Sequence, residues 1–123
     1  LRIEGRHHSR LLTGDIGAAV EARLLQAPSP IPASDVIMAP HHGSASSSSM
    51  ALVQAMRPTL AFAQAGYLNR YGHPASNVAA RWRATAQLYL DTIDAGAIQI
   101  RSGATGLWVN CARASRQRYW DGF

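Results

Sequence analysis

The chain has 123 residues, and its twelve basic residues, all of them Arg, outnumber seven acidic ones to give a formal net charge of +5. A hydrophobic content of 47% excludes intrinsic disorder, and no apolar run reaches the roughly 18 residues that span a membrane. The single cysteine, Cys111, excludes an internal disulfide and a CxxC zinc site.

The N-terminal residues predict a β-hairpin. Apolar and polar residues alternate over 1–4, the period of a half-buried strand, and 10–13 resumes as a second strand after a polar turn. His7 and His8 fall in that turn and are expected at the surface. Because the chain opens without Met inside a predicted strand, we expect it to be a piece of a longer protein.

A helix is predicted between 16 and 27. Val20, Leu24 and Leu25 recur there at the helical spacing of a core-facing side, and Glu21 and Arg23 are expected to point outward. Three closely spaced prolines then forbid continuation of the helix.

The rest of the chain alternates between strands and helices and closes with a hairpin. The predicted elements are a strand at 35–39, a helix capped by Ser49, a strand at 59–63, a helix after Ser76, a strand at 88–90, and hairpin strands at 97–101 and 106–111. Strands alternating with helices predict an α/β fold with a layered sheet.

Polar residues with metal-binding chemistry follow successive predicted strands. Asp15 follows the second strand, His41 and His42 follow the third, and His73 lies in the loop after the fourth. In an open α/β sheet, ligand sites form outside the carboxyl ends of the strands, where such loops converge. One carboxylate and up to three imidazoles predict a site for zinc, iron or manganese.

Each of these residues also has a structural alternative. Asp15 could cap the helix that follows it. The histidine pair is harder to explain structurally, because Pro40 fixes the backbone before it and Gly43 permits close approach after it. Adjacent side chains in an extended segment point opposite ways, so we expect only one of His41 and His42 to bind a given metal. The other would face substrate or a second metal.

Three motifs, at 11–16, 39–44 and 70–74, have the sequences Leu-Leu-Thr-Gly-Asp-Ile, Ala-Pro-His-His-Gly-Ser and Arg-Tyr-Gly-His-Pro. Their order and spacing resemble the C-terminal half of the metallo-β-lactamase-fold domain of ComEC-type DNA-internalisation competence proteins. The resemblance implies half of an αββα sandwich, with a mixed sheet and about three helices, over 1–112. A basic, aromatic tail would follow at 113–123.

The resemblance also implies two divalent metal ions, zinc or manganese, in the complete domain. Asp15 would be the bridging ligand, and His41 or His42 the later ligand. The His-x-His-x-Asp-His run that supplies most ligands in this family is absent from the sequence. We therefore expect these 123 residues alone to bind metal weakly or not at all and to lack nuclease activity.

Substrate contacts are expected from residues of the second and third motifs. His73 would contact metal or the substrate phosphate, and with Asp15 would be catalytic. Ser44 is a further candidate. Arg70 is the best candidate for a phosphate contact, because guanidinium groups bind phosphate oxygens in pairs. The alternative for the arginines is a compositional bias that replaces every Lys.

The implied function is that of a metal-dependent phosphodiesterase or nuclease fragment of a competence protein in DNA uptake. Its partners would be DNA that is single-stranded or being converted to it, the N-terminal half of the same domain, and membrane segments of the parent protein. This part would be a soluble domain of a cell-membrane protein. The main alternative is a non-catalytic nucleic-acid-binding module with the same fold. A hydrolase of a small phosphodiester or a lactone is a third possibility.

Overall fold

A computed structural model describes residues 1–115, whose strands form a five-stranded sheet and a separate two-stranded hairpin. The elements are β1 (Arg2–Glu4), β2 (Ser9–Leu11), α1 (Ala18–Gln26), β3 (Val36–Met38), a 3-10 turn (Pro40–Gly43), α2 (Met50–Met56), β4 (Leu60–Ala63), α3 (Ser76–Thr85), β5 (Leu88–Asp91), α4 (Thr92–Ala95), β6 (Ile98–Gly103), β7 (Gly106–Cys111) and α5 (Ala112–Ser115).

The large sheet keeps its strands in chain order, β1-β2-β3-β4-β5. β1 is antiparallel to β2, and the remaining strands are parallel, with Leu11, Ile37, Ala61 and Tyr89 in register across them. Crossover connections between parallel strands are right-handed, so α1, α2 and α3 all pack on the same face of the sheet. The carboxyl ends of β2 to β5 consequently share one edge.

The helical face of the sheet carries the larger core. Ile37, Val53 and Trp82 are fully buried there. Ala61 and Ala63 on β4 face the helices, and their small side chains let the helices approach the sheet closely. The sequence is rich in alanine, as expected for a core that contains many small side chains.

The opposite face of the sheet is covered by the β6–β7 hairpin. Val36, Leu60 and Phe62 form the sheet side of this second core, with Ile100 and Val109 of the hairpin packed against them. Apolar side chains on both faces explain why β3 and β4 are nearly continuous hydrophobic runs.

The predicted mixed α/β architecture and the order of its strands and main helices are confirmed. For the orientation of α1, the prediction is right for Leu25, which packs against the core, and for exposed Arg23, but wrong for the other three residues. Glu21, expected outward, is fully buried, whereas Val20 and Leu24 are 40% and 37% exposed. The carboxylate of Glu21 accepts hydrogen bonds from the backbone N–H groups of Ser48 and Ser49, at 2.6 and 2.8 Å. These donors, distant in sequence, override the hydrophobic periodicity of the helix.

Other differences from the predictions are local. His8, expected at the surface, is partly buried, and its Nδ1 lies 2.7 Å from the Ser102 hydroxyl oxygen. That contact joins the β1–β2 turn to the β6–β7 hairpin. The predicted basic tail at 113–123 lies outside the described residues from position 116 onward. The described residues at its start belong to a single helical turn, Ala112–Ser115. Among residues 1–115, no helix has both the length and the apolar content needed to cross a membrane.

Candidate functional site

The carboxyl edge of the parallel strands brings together four of the predicted site residues. His42 Nε2 lies 3.4 Å from an oxygen of Asp15. The His41 ring is centred 6.4 Å from the ring of His42 and 6.1 Å from the ring of His73. One carboxylate and three imidazoles from three separate loops thus occupy a single surface.

Asp15 does not cap a helix. α1 begins at Ala18 with Gly17 as its N-cap, and no side chain makes the capping hydrogen bond. The side chain of Asp15 is 67% exposed and lies beside His42. The helix-capping alternative for Asp15 therefore has no structural support.

The histidine pair does not lie in an extended segment, as expected from sequence, but in a left-handed turn. His41 and His42 have φ values of 50° and 57°. Such values cost a residue with a Cβ roughly 1–3 kcal/mol, and they concentrate at functional sites. Because the backbone is not extended here, the alternation expected from sequence does not apply, and the two ring centroids lie 6.4 Å apart. Which of the two histidines binds a metal stays a prediction.

Backbone hydrogen bonds hold this turn in place. The N–H of His41 donates to the carbonyl oxygen of Gly14 at 2.9 Å, and the N–H of Ser44 donates back to the carbonyl of His41 at 2.9 Å. The hydroxyl of Ser47 donates to the carbonyl oxygen of Pro40 at 2.7 Å. The first of these bonds ties the histidine turn to the loop that carries Asp15.

Gly43 fixes the position of the histidine turn relative to the His73 loop. Its φ is +79°, and an added Cβ would lie 2.6 Å from the Cβ of Pro74. The N–H of Ala75 donates to the carbonyl of Gly43 at 2.8 Å. Since Gly43 follows His42 and Pro74 follows His73, this close contact sets the spacing of the two imidazoles.

The Asp15 and His42 pair fits the donor geometry of one metal ion. A tetrahedral zinc site with bonds of about 2.0–2.1 Å keeps its donors about 3.3 Å apart, close to the observed 3.4 Å. His42 Nδ1 lies 2.8 Å from the carbonyl oxygen of Gln64. A carbonyl can only accept, so Nδ1 carries the proton, and Nε2, which lies 3.4 Å from the Asp15 oxygen, keeps its lone pair when the ring is neutral.

The remaining donors for a closed metal site are not supplied by the described part of the chain. Among residues 1–115, no group of three or more His, Cys, Asp or Glu side chains has the geometry to hold a metal ion. The Asp15 and His42 pair alone falls short of the four ligands typical of zinc.

The loop that carries His73 is clamped by Asn69. The side-chain oxygen of Asn69 accepts from the N–H of His73 at 2.9 Å, and its amide donates to the carbonyls of Gly66 and His73 at 2.9 and 2.6 Å. Within residues 1–115, Nδ1 of His73 is buried without a hydrogen-bond partner. A buried polar atom without a partner is a feature that calls for a ligand, a water or a functional role.

Arg70 and Tyr71 lie beside His73 on the same loop. The Tyr71 ring is nearly parallel to the ring of His73, with centroids 5.7 Å apart and an angle of 21°. The Arg70 guanidinium lies 4.8 Å from the centroid of the Tyr71 ring and donates to its hydroxyl. Arg70 is exposed, so its charge is available at this edge.

Ser44 is largely buried, at 9% exposure, and its hydroxyl lies 3.0 Å from the hydroxyl of Ser46. It belongs to the serine-rich segment 44–49, whose other hydroxyl groups also make hydrogen bonds within the fold. The side chain of Ser49 caps α2 as predicted, by accepting from the N–H of Leu52. Ser48 Oγ accepts from the indole nitrogen of Trp82. The role of Ser44 in substrate binding stays a prediction.

A cleft of about 510 Å³ opens beside the histidines. It is lined from the loops after β3, β4 and β5, among others by His42, Gln64, Tyr71, His73 and Thr92. Sequence reasoning placed the histidines at this edge but missed Gln64, Tyr71 and Thr92 as lining residues. The position of Gln64 directly after a buried strand is the signal that could have found it.

Similarity to two curated proteins extends over nearly the whole chain. The chain is 34% identical over 121 residues to Competence protein ComA of Neisseria gonorrhoeae, covering 98% of this chain and 17% of that protein. It is 28% identical over 120 residues to the uncharacterized protein YcaI of Escherichia coli K12, covering 98% of this chain and 16% of that protein.

The match to ComA relates the chain to a competence protein. The chain spans about one sixth of the length of each of the two relatives. No protein-family model matches the chain. No solved structure matches it either.

Proposed function

We propose that this chain is part of a metal-dependent phosphodiesterase that acts on DNA in a competence protein. The observation that carries the proposal is the pairing of Asp15 with His42 at the carboxyl edge of the sheet. The Nδ1 atom of His42 lies 2.8 Å from the carbonyl oxygen of Gln64, and this contact leaves Nε2, 3.4 Å from Asp15, free to bind a metal. Histidines that bind a metal through one ring nitrogen typically donate a hydrogen bond from the other to a backbone carbonyl or a carboxylate.

Asp15 and His42 would hold the metal, and Asp15 has two carboxylate oxygens with which to reach a second ion. When bound, a pair of divalent ions provides a water of lowered pKa and neutralises charge on a phosphodiester. His73 lies within the same cluster, 6.1 Å from the ring of His41. Its imidazole could hold a phosphate oxygen or give a proton to the leaving oxygen.

The incomplete donor set supports a site shared with another part of the protein. Two donors from this chain leave at least two to be supplied from elsewhere, since tetrahedral zinc takes four ligands. The resemblance to metallo-β-lactamase-fold domains assigns those ligands to an N-terminal half. On this basis the 123 residues alone bind metal weakly and cleave no DNA.

The choice of DNA as substrate is supported by the related competence protein and by the charge of the chain. The formal net charge is +5, entirely from arginine excess, and guanidinium groups pair well with phosphate. Arg70 is exposed beside His73 and provides such a charge at the site.

The test is hydrolysis of a fluorescent single-stranded oligonucleotide by the full-length protein with manganese or zinc. We expect cleavage that stops with a chelator and falls at least a hundredfold in His42→Ala. His7→Ala, which replaces an exposed histidine in the β1–β2 turn, should cleave as the unchanged protein does. Cleavage by His42→Ala at the full rate would refute the proposal.

A further inference from the structure

We infer that the cleft beside His42 is a nucleobase subsite, in which Tyr71 stacks on an unpaired base of the bound strand. The inference rests on the proposed function for its DNA ligand. It deepens that function by naming the part of the nucleotide that this cleft holds and the residue that recognises it.

The cleft lies next to the proposed metal site. His42 lies in its lining, and the free nitrogen of His42 is 3.4 Å from Asp15. A nucleotide with its base in the cleft therefore has its phosphate next to the proposed site of hydrolysis. The volume of about 510 Å³ falls within the roughly 300–1,000 Å³ of pockets that hold small organic molecules.

The walls of the cleft favour a flat aromatic group over a charged one. Tyr71 and His73 supply two nearly parallel rings. The hydroxyl of Thr92 is occupied, since it accepts from the N–H and donates to the carbonyl of Ala65, both at 2.9 Å. The amide of Asn69 is likewise bonded to the backbone of its own loop. These polar groups stiffen the wall and are not free for a ligand.

Besides the two histidines, the cleft offers the side-chain amide of Gln64 for recognition. Gln64 is exposed and lines the cleft. A side-chain amide both donates and accepts, so it can pair with the edge of any base. Aromatic rings with one adaptable amide match a base-stacking site with little sequence preference.

The positive charge of Arg70, next to Tyr71, can bind the phosphate attached to the nucleotide whose base lies in the cleft. The guanidinium of Arg70 lies over the ring of Tyr71 and is exposed. Tyr71 itself is 65% exposed, and because Arg70 is also an exposed side chain, a base that stacks on this ring takes the place of the guanidinium. A base inside a duplex has both faces covered by its neighbours, and this cleft therefore takes a base from a single strand or one that has been flipped out.

The test measures how much the bases contribute to binding, in the full-length protein with a chelator present so that no cleavage occurs. The probes are a fluorescein-labelled oligothymidylate of about ten nucleotides and an abasic deoxyribose-phosphate oligomer of equal length. We expect the unchanged protein to bind the oligothymidylate about tenfold more tightly than the abasic oligomer, as fluorescence anisotropy measures.

Tyr71→Ala should lose most of this preference, and Tyr71→Phe should keep it. Trp108→Ala is the matched control, because Trp108 is 53% exposed and has the guanidinium of Arg101 over its ring at 5.3 Å, but lies on the β6–β7 hairpin. An undiminished preference in Tyr71→Ala, or no preference in the unchanged protein, would overturn the inference. Loss of preference in Tyr71→Ala supports the subsite whether or not the protein cleaves DNA.

Discussion

Replacing Glu21 with Ala should destabilise the fold severely, although the residue lies on a helix and touches no candidate ligand. Its buried carboxylate accepts two backbone hydrogen bonds, from Ser48 at 2.6 Å and Ser49 at 2.8 Å. A hydrogen bond to a charged group contributes about 1.5–3 kcal/mol, and its loss leaves a buried donor unpaired. For the two bonds together we expect the free energy of unfolding to fall by about 4 kcal/mol. This is a large share of the roughly 5–15 kcal/mol by which a typical domain is stable.

Urea unfolding followed by far-UV circular dichroism gives the free energy of unfolding for each variant. Glu21→Gln keeps the side-chain shape and one acceptor oxygen. We therefore expect its free energy of unfolding to fall by about 2 kcal/mol, half the loss in Glu21→Ala. Arg23→Ala, at an exposed position of the same helix, should stay within about 0.5 kcal/mol of the unchanged protein. A Glu21→Ala variant within about 1 kcal/mol of the unchanged protein would refute the role assigned to this carboxylate.

Two further predictions concern the loops. Gly43→Ala should lose about 3 kcal/mol of unfolding free energy, because its Cβ would overlap Pro74 and its φ is positive. Gly72 also has a positive φ, but a Cβ added there would meet no atom within 4 Å. Gly72→Ala should therefore lose only about 1 kcal/mol in the same urea assay. Equal losses in the two variants would contradict the predicted overlap between the new Cβ of residue 43 and Pro74. The backbone N–H of Ser9 is the largest influence that lowers the pKa of Asp35 below its ordinary 3.8. The ionised form of Asp35 therefore stabilises the fold at neutral pH, and this contribution disappears as pH falls through the lowered pKa. The stability difference between the unchanged protein and Asp35→Asn should shrink between about pH 5 and about pH 2; a constant difference would contradict this.

The alternation of strands and helices was predictable because each element carries its own periodicity. β3 and β4 are short apolar runs between polar loops, and this pattern depends only on neighbouring residues. The rule that ligand sites form beyond the carboxyl ends of parallel strands then directed attention to Asp15, the His41 and His42 pair, and His73. Local pattern and general topology were sufficient for this part of the structure.

Features that depend on distant partners were not predictable. Glu21 is buried because donors 27 and 28 residues further along the chain need an acceptor, and nothing in its own helix shows this. The left-handed conformation of the histidine pair depends on bonds to Gly14 and on the contact between Gly43 and Pro74. The buried hydrogen bonds of segment 44–49 likewise depend on distant partners, the carboxylate of Glu21 and the indole of Trp82.

The central claim, that this chain contributes to a hydrolytic site rather than only to DNA binding, is tested most directly at Asp15. Cleavage and binding of the same labelled single strand should be measured for the full-length protein and for Asp15→Ala, with Asp94→Asn, an exposed carboxylate on α4, as the control. The account predicts that Asp15→Ala loses cleavage at least a hundredfold and keeps binding nearly intact. An Asp15→Ala variant that cleaves and binds like the unchanged protein would contradict it.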